Sequence, residues 1–152
     1  MGNAVLAGPS DEDRIREQLS SLASAVSSSE PVTNAVFRAS YLRERFEDLL
    51  APGVLIDVPE VGRLPSDPKS LALATARVQT GFGSFEVELG DMDIEIGTPD
   101  DTAIAQGQVE LTATGSWGRR EERHVVFHLT NRSGTWLVSA IHVEAPGKPA
   151  TR

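Results

Sequence analysis

No cysteine occurs among the 152 residues, so disulfides, thiolate metal centres and a cysteine nucleophile are all excluded. Long apolar runs are missing as well. No stretch approaches the roughly 20 residues of a membrane span, so the chain as given reads as soluble, without a membrane partner. Basic residues are outnumbered, with 14 Lys and Arg against 22 Asp and Glu and a net charge of −8. A phosphate-rich surface would repel most of such a chain, which makes nucleic acid the wrong partner class. The opening segment, Met1 to Ser10, has no basic leader and too short an apolar run for an intact signal peptide. An exported protein already trimmed of its signal would read the same way, and cytoplasmic is placed slightly ahead of periplasmic. No nucleophile elbow, phosphate loop, zincin helix, dinucleotide fingerprint or internal repeat occurs, and no cofactor is implied.

What is present, 39% hydrophobic and 24% charged residues, suits one globular domain able to bury a core. That domain is expected over residues 11–145, between a disordered N-terminal segment, 1–10, and a flexible tail, 146–152. Ser10 followed by Asp13 is a helix start with acidic residues well placed at the N-terminus, and Ile15, Leu19, Leu22, Ala23 and Val26 recur at helical spacing. A second helix is expected from Thr33 or Asn34, with Phe37, Tyr41, Phe46, Leu49 and Leu50 inward, stopping at Ala51-Pro52-Gly53. Val54 to Val58, closed by Pro59, reads as a short strand. Asp67-Pro68 then opens a third helix with Leu71, Ala74, Thr75 and Val78 on its apolar face, ending at Gly81.

After Gly81 the period changes to two. Phe85, Val87 and Leu89 oppose Glu86 and Glu88; Met92, Ile94 and Ile96 oppose Asp91, Asp93 and Glu95; Gly90 between the two sets marks a bulge or bend. Thr98 to Asp101 is a turn by composition, and Thr102 to Thr114 alternates again. Gly115 to Arg123 is expected as a hairpin tip, with the Arg119 to Arg123 charge run exposed and self-compensating and Trp117 a packing residue or pocket rim. His124 to Thr130 and Thr135 to Glu144 flank a compact turn, Asn131 to Gly134.

The element order, the strand ending in Ile56-Asp57-Val58-Pro59-Glu60-Val61-Gly62, the helix from Pro68 to Thr80 and the terminal Gly134-Thr135-Trp136-Leu137-Val138 resemble the nuclear-transport-factor-2-like superfamily, which includes SnoaL-like polyketide cyclases and ketosteroid isomerases. The resemblance covers Asp11 to Glu144. It implies an α+β cone of cystatin-like architecture, with three N-terminal helices packed on a strongly curved antiparallel sheet around a blind pocket. It also implies pairing of two chains through the outer sheet face.

Ketosteroid isomerases use an aspartate base at the end of the first strand and an oxyanion hole made of a tyrosine and a protonated aspartic acid. Aligned on Pro59 and Val61-Gly62, Val58 takes the place of the base, with Asp57 one step away on the opposite face and an alternative base only after a one-residue slip. Leu22 takes the tyrosine position and Val126 the acid position, so three aliphatic residues stand where three polar ones would be needed.

Closing the last turn with Thr130 opposite Thr135 divides that hairpin into two faces. One carries Val125, Phe127, Leu129, Trp136, Val138, Ala140 and His142; the other carries His124, Val126, His128, Leu137, Ser139, Ile141 and Val143. By resemblance the second face looks into the cone. His124, His128 and Ser139, together with Tyr41, Val58, Val126 and Ile141, are then the candidate pocket residues. On the first face, Phe127, Trp136 and Val138 are candidate homodimer contacts. A metal site lacks a third ligand, since His142 falls on the other face, and the Asp91, Asp93, Glu95 row reads as a solvated face. Two readings of function follow. One is a noncatalytic pocket or assembly module for an apolar small molecule or a partner chain. The other is an isomerase, cyclase or hydrolase on a hydrophobic substrate, using His124 or His128 as general acid or base because histidine changes charge near neutral pH.

Overall fold

The computed structural model describes residues 10–81, 83–97, 101–114 and 119–145. The expectations for Trp117, for most of the turn at 98–101 and for both chain ends lie outside these residues.

Each helix begins at the residue whose side chain can take a free amide. In α1 (Asp11–Val26), Ser10 Oγ accepts from Asp13 N at 3.1 Å, and three acidic residues fill the first turn. In α2 (Ala35–Leu49), Asn34 Oδ1 accepts from Phe37 N at 3.0 Å. In α3 (Pro68–Gln79), Asp67 accepts from Ser70 N at 2.9 Å and proline stands in the first turn, where no amide is needed.

The inward face of α2 differs from expectation. Phe37 is 79% and Tyr41 47% exposed, whereas Leu42, Phe46 and Leu49 are buried. The deciding residue is Arg38, one turn before Leu42 on the same side. Its guanidinium donates to Ala25 O and Ser27 O, both at 3.1 Å, and to Gln79 Oε1 at 2.9 Å. Gln79, itself buried, donates to Val26 O at 2.7 Å. One arginine and one glutamine thus satisfy the carbonyls left over at the end of α1 and tie the three helices together. Burial pushes the Arg38 guanidinium below its ordinary value, with Tyr41 beside it acting in the opposite direction. In α3 Val78 is exposed, contrary to expectation, while Leu71, Ala72 and Ala76 are buried.

Among the described residues six strands form a single sheet: β1 (Leu50–Val58), β2 (Gly62–Arg63), β3 (Phe85–Ile96), β4 (Thr102–Ala113), β5 (Arg119–Arg132) and β6 (Thr135–Val143), in the order β2-β1-β6-β5-β4-β3. The β3 to β6 meander is antiparallel, as expected, but β1 lies parallel to β6, so the sheet is mixed rather than wholly antiparallel. By pairing there, β1 covers the edge that a free meander would leave open.

The β3–β4 register slips by one between Leu89–Val109 and Met92–Gly107, the bulge that Gly90 announces. Across from it a Cβ on Gly107 would sit 2.3 Å from Asp91 O, so the strands can approach there only with glycine.

The last hairpin departs from expectation in two ways. Its turn is two residues, Ser133-Gly134, both at positive φ (54° and 88°), with Asn131 Oδ1 accepting from Gly134 N at 2.9 Å. Arg132 therefore faces Thr135, and Leu129 faces Val138. The register then slips again, because His128 pairs with Ala140 and leaves Ser139 as the extra residue. Beyond this bulge Ile141 and Val143 join the side of Phe127 and Val125. That side is the concave, helix-covered one: Val125, Phe127, Leu129, Trp136 and Val138 are all buried. Trp136, 1% exposed, also reaches Asp11 through Nε1 (3.3 Å), and its carbonyl accepts from Gln18 Nε2 (2.7 Å). Phe127, Trp136 and Val138 are thus core residues between sheet and helices and not a surface for a second chain, which corrects the interface expectation.

Candidate functional site

A cavity of about 210 Å³ lies between the helices and the concave face of the sheet. From the helices come Leu19, Leu22, Phe46, Leu71 and Thr75; from the sheet come Ile56, Leu89, Val109, Val125, Phe127 and Ile141. Alternation supplies the sheet residues: Val125 and Phe127, or Leu89 across the bulge, turn inward because their neighbours turn outward. The wall is aliphatic, with two phenylalanine rings. Of its polar members, Thr75 donates its hydroxyl to Leu71 O within α3 at 2.8 Å, and the other is Arg123.

Arg123 is 7% exposed. Its Nη1 donates to Glu144 O at 3.0 Å and its Nη2 to Glu60 Oε2, while Glu121 Oε2 lies 3.5 Å from Nη2. Nε is buried and has no hydrogen-bond partner among the described residues. A guanidinium charge taken out of water needs this much compensation, and the Nε–H still finds no partner among the described residues. Arg123 escaped the sequence reading because the charge run around it resembles an exposed tip. The signal was nevertheless there: counting back by two from Phe127 and Val125 reaches Arg123, on the inward face of an extended β5.

The residues expected to line the pocket are mostly elsewhere. Ile141 does line it, brought inward by the Ser139 bulge, and Val58 packs at the edge of the core two residues after Ile56. His124, Val126, His128 and Ser139 stand on the opposite, convex face, because the alternation that buries Val125, Phe127 and Leu129 excludes their neighbours. There His124 Nε2 lies 3.2 Å from Gln106 Oε1, and Ser139 Oγ donates to His128 O at 3.2 Å. His128 and Ser139 instead border an open recess of about 280 Å³ with Glu95 and Thr130. Tyr41 is on the outer side of α2, its ring 5.2 Å below the Arg38 guanidinium. Asp57 also faces outward, and Arg63 Nε donates to its Oδ1 at 2.6 Å. That hydrogen bond, and the nearby charges of Arg63 and His142, hold the Asp57 carboxyl below its ordinary range, so it is a poor proton acceptor. Among the described residues no group of three His, Asp or Glu side chains could hold a metal ion, and no helix is long and apolar enough to cross a membrane.

Solved structures superpose on nearly the whole chain. An NTF2-like protein from Cytophaga hutchinsonii matches with a TM-score of 0.66 at 18% identity, over 90% of this chain and 99% of its own. An uncharacterized protein with a cystatin-like fold from Caulobacter vibrioides matches with a TM-score of 0.64 at 15% identity, over 89% and 90%. The fold is the nuclear-transport-factor-2-like, cystatin-like cone. Aln2 from a Streptomyces species shares it, with a TM-score of 0.64 at 15% identity over 90% of this chain and 92% of that one. No protein-family model matches the chain, and no curated protein matches it in sequence.

Proposed function

We propose that this cone binds a small apolar molecule, about the size of a substituted benzene, without transforming it. The observation that carries the reading is the composition of the cavity wall. It is aliphatic and aromatic, while the acid–base candidates His124, His128, Asp57 and Tyr41 stand outside it. A general acid or base must come within hydrogen-bond reach of the atom it serves, and a proton relay through the sheet would have to cross the buried Val125–Leu129 row. An apolar cavity of about 150 Å³ accepts benzene, so 210 Å³ accommodates a ring with a short substituent.

The test is calorimetric titration with ethylbenzene. Saturable binding with a Kd on the order of 0.1 mM is expected for eight heavy atoms transferred into such a wall. Ala23→Leu, which extends a lining residue of α1 into the space, is expected to weaken it at least tenfold. Equal binding by this variant would reject the site.

A second role, pairing of two chains, finds support on the convex face. Leu55 and Ile104 are exposed there, and the pairing Leu55–Ala140–His128–Ile104 sets them in one row across four strands. Sedimentation at micromolar concentration distinguishes the outcomes. A dimer that Leu55→Glu with Ile104→Glu returns to monomer is expected, and a wild-type monomer would reject the pairing.

A further inference from the structure

We infer that the outer edge of β3 is a docking site for an extended protein segment that alternates basic with apolar residues and joins the sheet as a further strand. β3 stands last in the strand order, with β4 on one side of it. Its opening residues are already taken on the other side: Ser28 N donates to Phe85 O at 2.6 Å, Phe85 N to Ser28 O at 2.8 Å, and Val87 N to Ser27 Oγ at 2.9 Å. Antiparallel strands alternate positions that bond to a given neighbour with positions that do not, and Gly97 N donating to Thr102 O fixes the phase beyond the bulge. Asp93 and Glu95 therefore bond to β4, while Met92, Ile94 and Ile96 direct their N–H and C=O groups away from it. Among the described residues no strand pairs with that stretch. Where the free stretch begins, an open cleft of about 550 Å³ separates β3 from α1, bordered by Ser20, Ser24 and Ser27 on the helix and by Val87 and Leu89 on the strand. Short side chains on the helix side leave room for a main chain.

Charge decides what can occupy the edge. Glu86, Glu88, Asp93 and Glu95 are exposed along β3, which contains no Lys or Arg. Glu110 of β4 adds another carboxylate, and Arg120 Nε donates to that one at 2.7 Å. A second copy of β3 laid against this edge would set carboxylates opposite carboxylates, which is destabilising in a sheet. A strand with Lys or Arg at alternate positions meets them with opposite charge. The positions between fall on the concave side, beside half-buried Ile94 and Ile96, which is 38% exposed, and apolar side chains there remove surface from water. Main-chain hydrogen bonds supply affinity in such strand addition, and the alternating side chains supply specificity. The carboxylates that keep this edge from pairing with its own copy thus select a basic partner.

The probes are a short peptide alternating lysine with valine, its glutamate counterpart, and a lysine peptide with a central proline, each added to the full chain at neutral pH and low ionic strength, where surface charges are least screened. The lysine peptide is expected to bind and to slow amide hydrogen exchange at Met92, Ile94 and Ile96 by about tenfold or more. The glutamate peptide is expected to bind about tenfold more weakly. Proline, which removes a main-chain donor, is expected to abolish the protection. Asp93→Lys with Glu95→Lys, both exposed positions, is expected to reverse the preference between the two charged peptides. Glu17→Lys with Glu44→Lys, exposed on α1 and α2, changes net charge equally and is expected to keep the wild-type preference. The inference is overturned if the lysine peptide fails to bind, binds without protecting these amides, or binds no better than the glutamate peptide. It is equally overturned if the two charge-reversal pairs act alike, or if Met92, Ile94 and Ile96 exchange in the free chain as slowly as Asp93 and Glu95.

Discussion

The concave and convex faces of this sheet are made from alternate residues of the same strands, yet they have little in common chemically. Val109, Val125, Phe127, Leu129 and Val138 turn inward; Glu88, Gln106, Glu110, His124 and His128 turn outward. The histidines are on the wet side, and the concave side is hydrocarbon apart from Thr75, Arg123 and the Glu121 carboxylate beside that arginine. The difference teaches that the cone supplies shape and exclusion of water, whereas reaction chemistry depends on which polar side chains alternation happens to turn inward.

The comparison is broken most severely by emptying the concave side. Trp136→Ala removes the largest of the fully buried side chains and is expected to cost about 3–5 kcal/mol in urea unfolding. A loss below about 1 kcal/mol would mean that this face is not core. Next comes the point where β3 and β4 approach most closely. Gly107→Ala places a methyl against the Asp91 carbonyl, which cannot yield as a side-chain tip could, and a loss of about 1–3 kcal/mol is expected. A variant as stable as wild type would show that the bulge can relax. On the convex side, His124→Ala with His128→Ala is expected to change stability by less than about 0.5 kcal/mol and to leave ethylbenzene affinity unaltered. Weakened binding would return the histidines to the site.

The smallest effect concerns Asp57. Its carboxyl is held below the ordinary range, first by the hydrogen bond from Arg63. A depressed folded-state value contributes stability above the unfolded-state value, and that contribution disappears as pH falls through the folded-state one. Wild type and Asp57→Asn are therefore expected to differ slightly at neutral pH and to converge in acid. A gap that persists unchanged in acid would contradict the ion pair.

Much of this fold was legible because local signals agreed with one another. Ser10, Asn34 and Asp67 each cap the helix that their position announces, and Gly90 marks the β3 bulge. The pocket face was not legible, for two reasons. The Asn131 to Gly134 stretch reads as a four-residue turn when only Ser133 and Gly134 form it, and nothing in the alternation of β6 announces that Ser139 interrupts it. Assigning the inward face by resemblance also set aside the plainer evidence of side-chain size, since Phe127, Leu129, Trp136 and Val138 share one side and are costly to leave in water. Arg123 shows the same limit: a charge in a polar-looking segment reads as solvated until the packing around it is known.

The central claim is that small molecules enter the concave side and not the histidine face, and methyl-labelled protein reads both sides in one spectrum. On titration with ethylbenzene, saturable shifts are expected at Leu89, Val109 and Ile141, with Val126 and Leu137 silent. Saturable shifts at Val126 and Leu137 with the concave methyls unmoved would contradict the account.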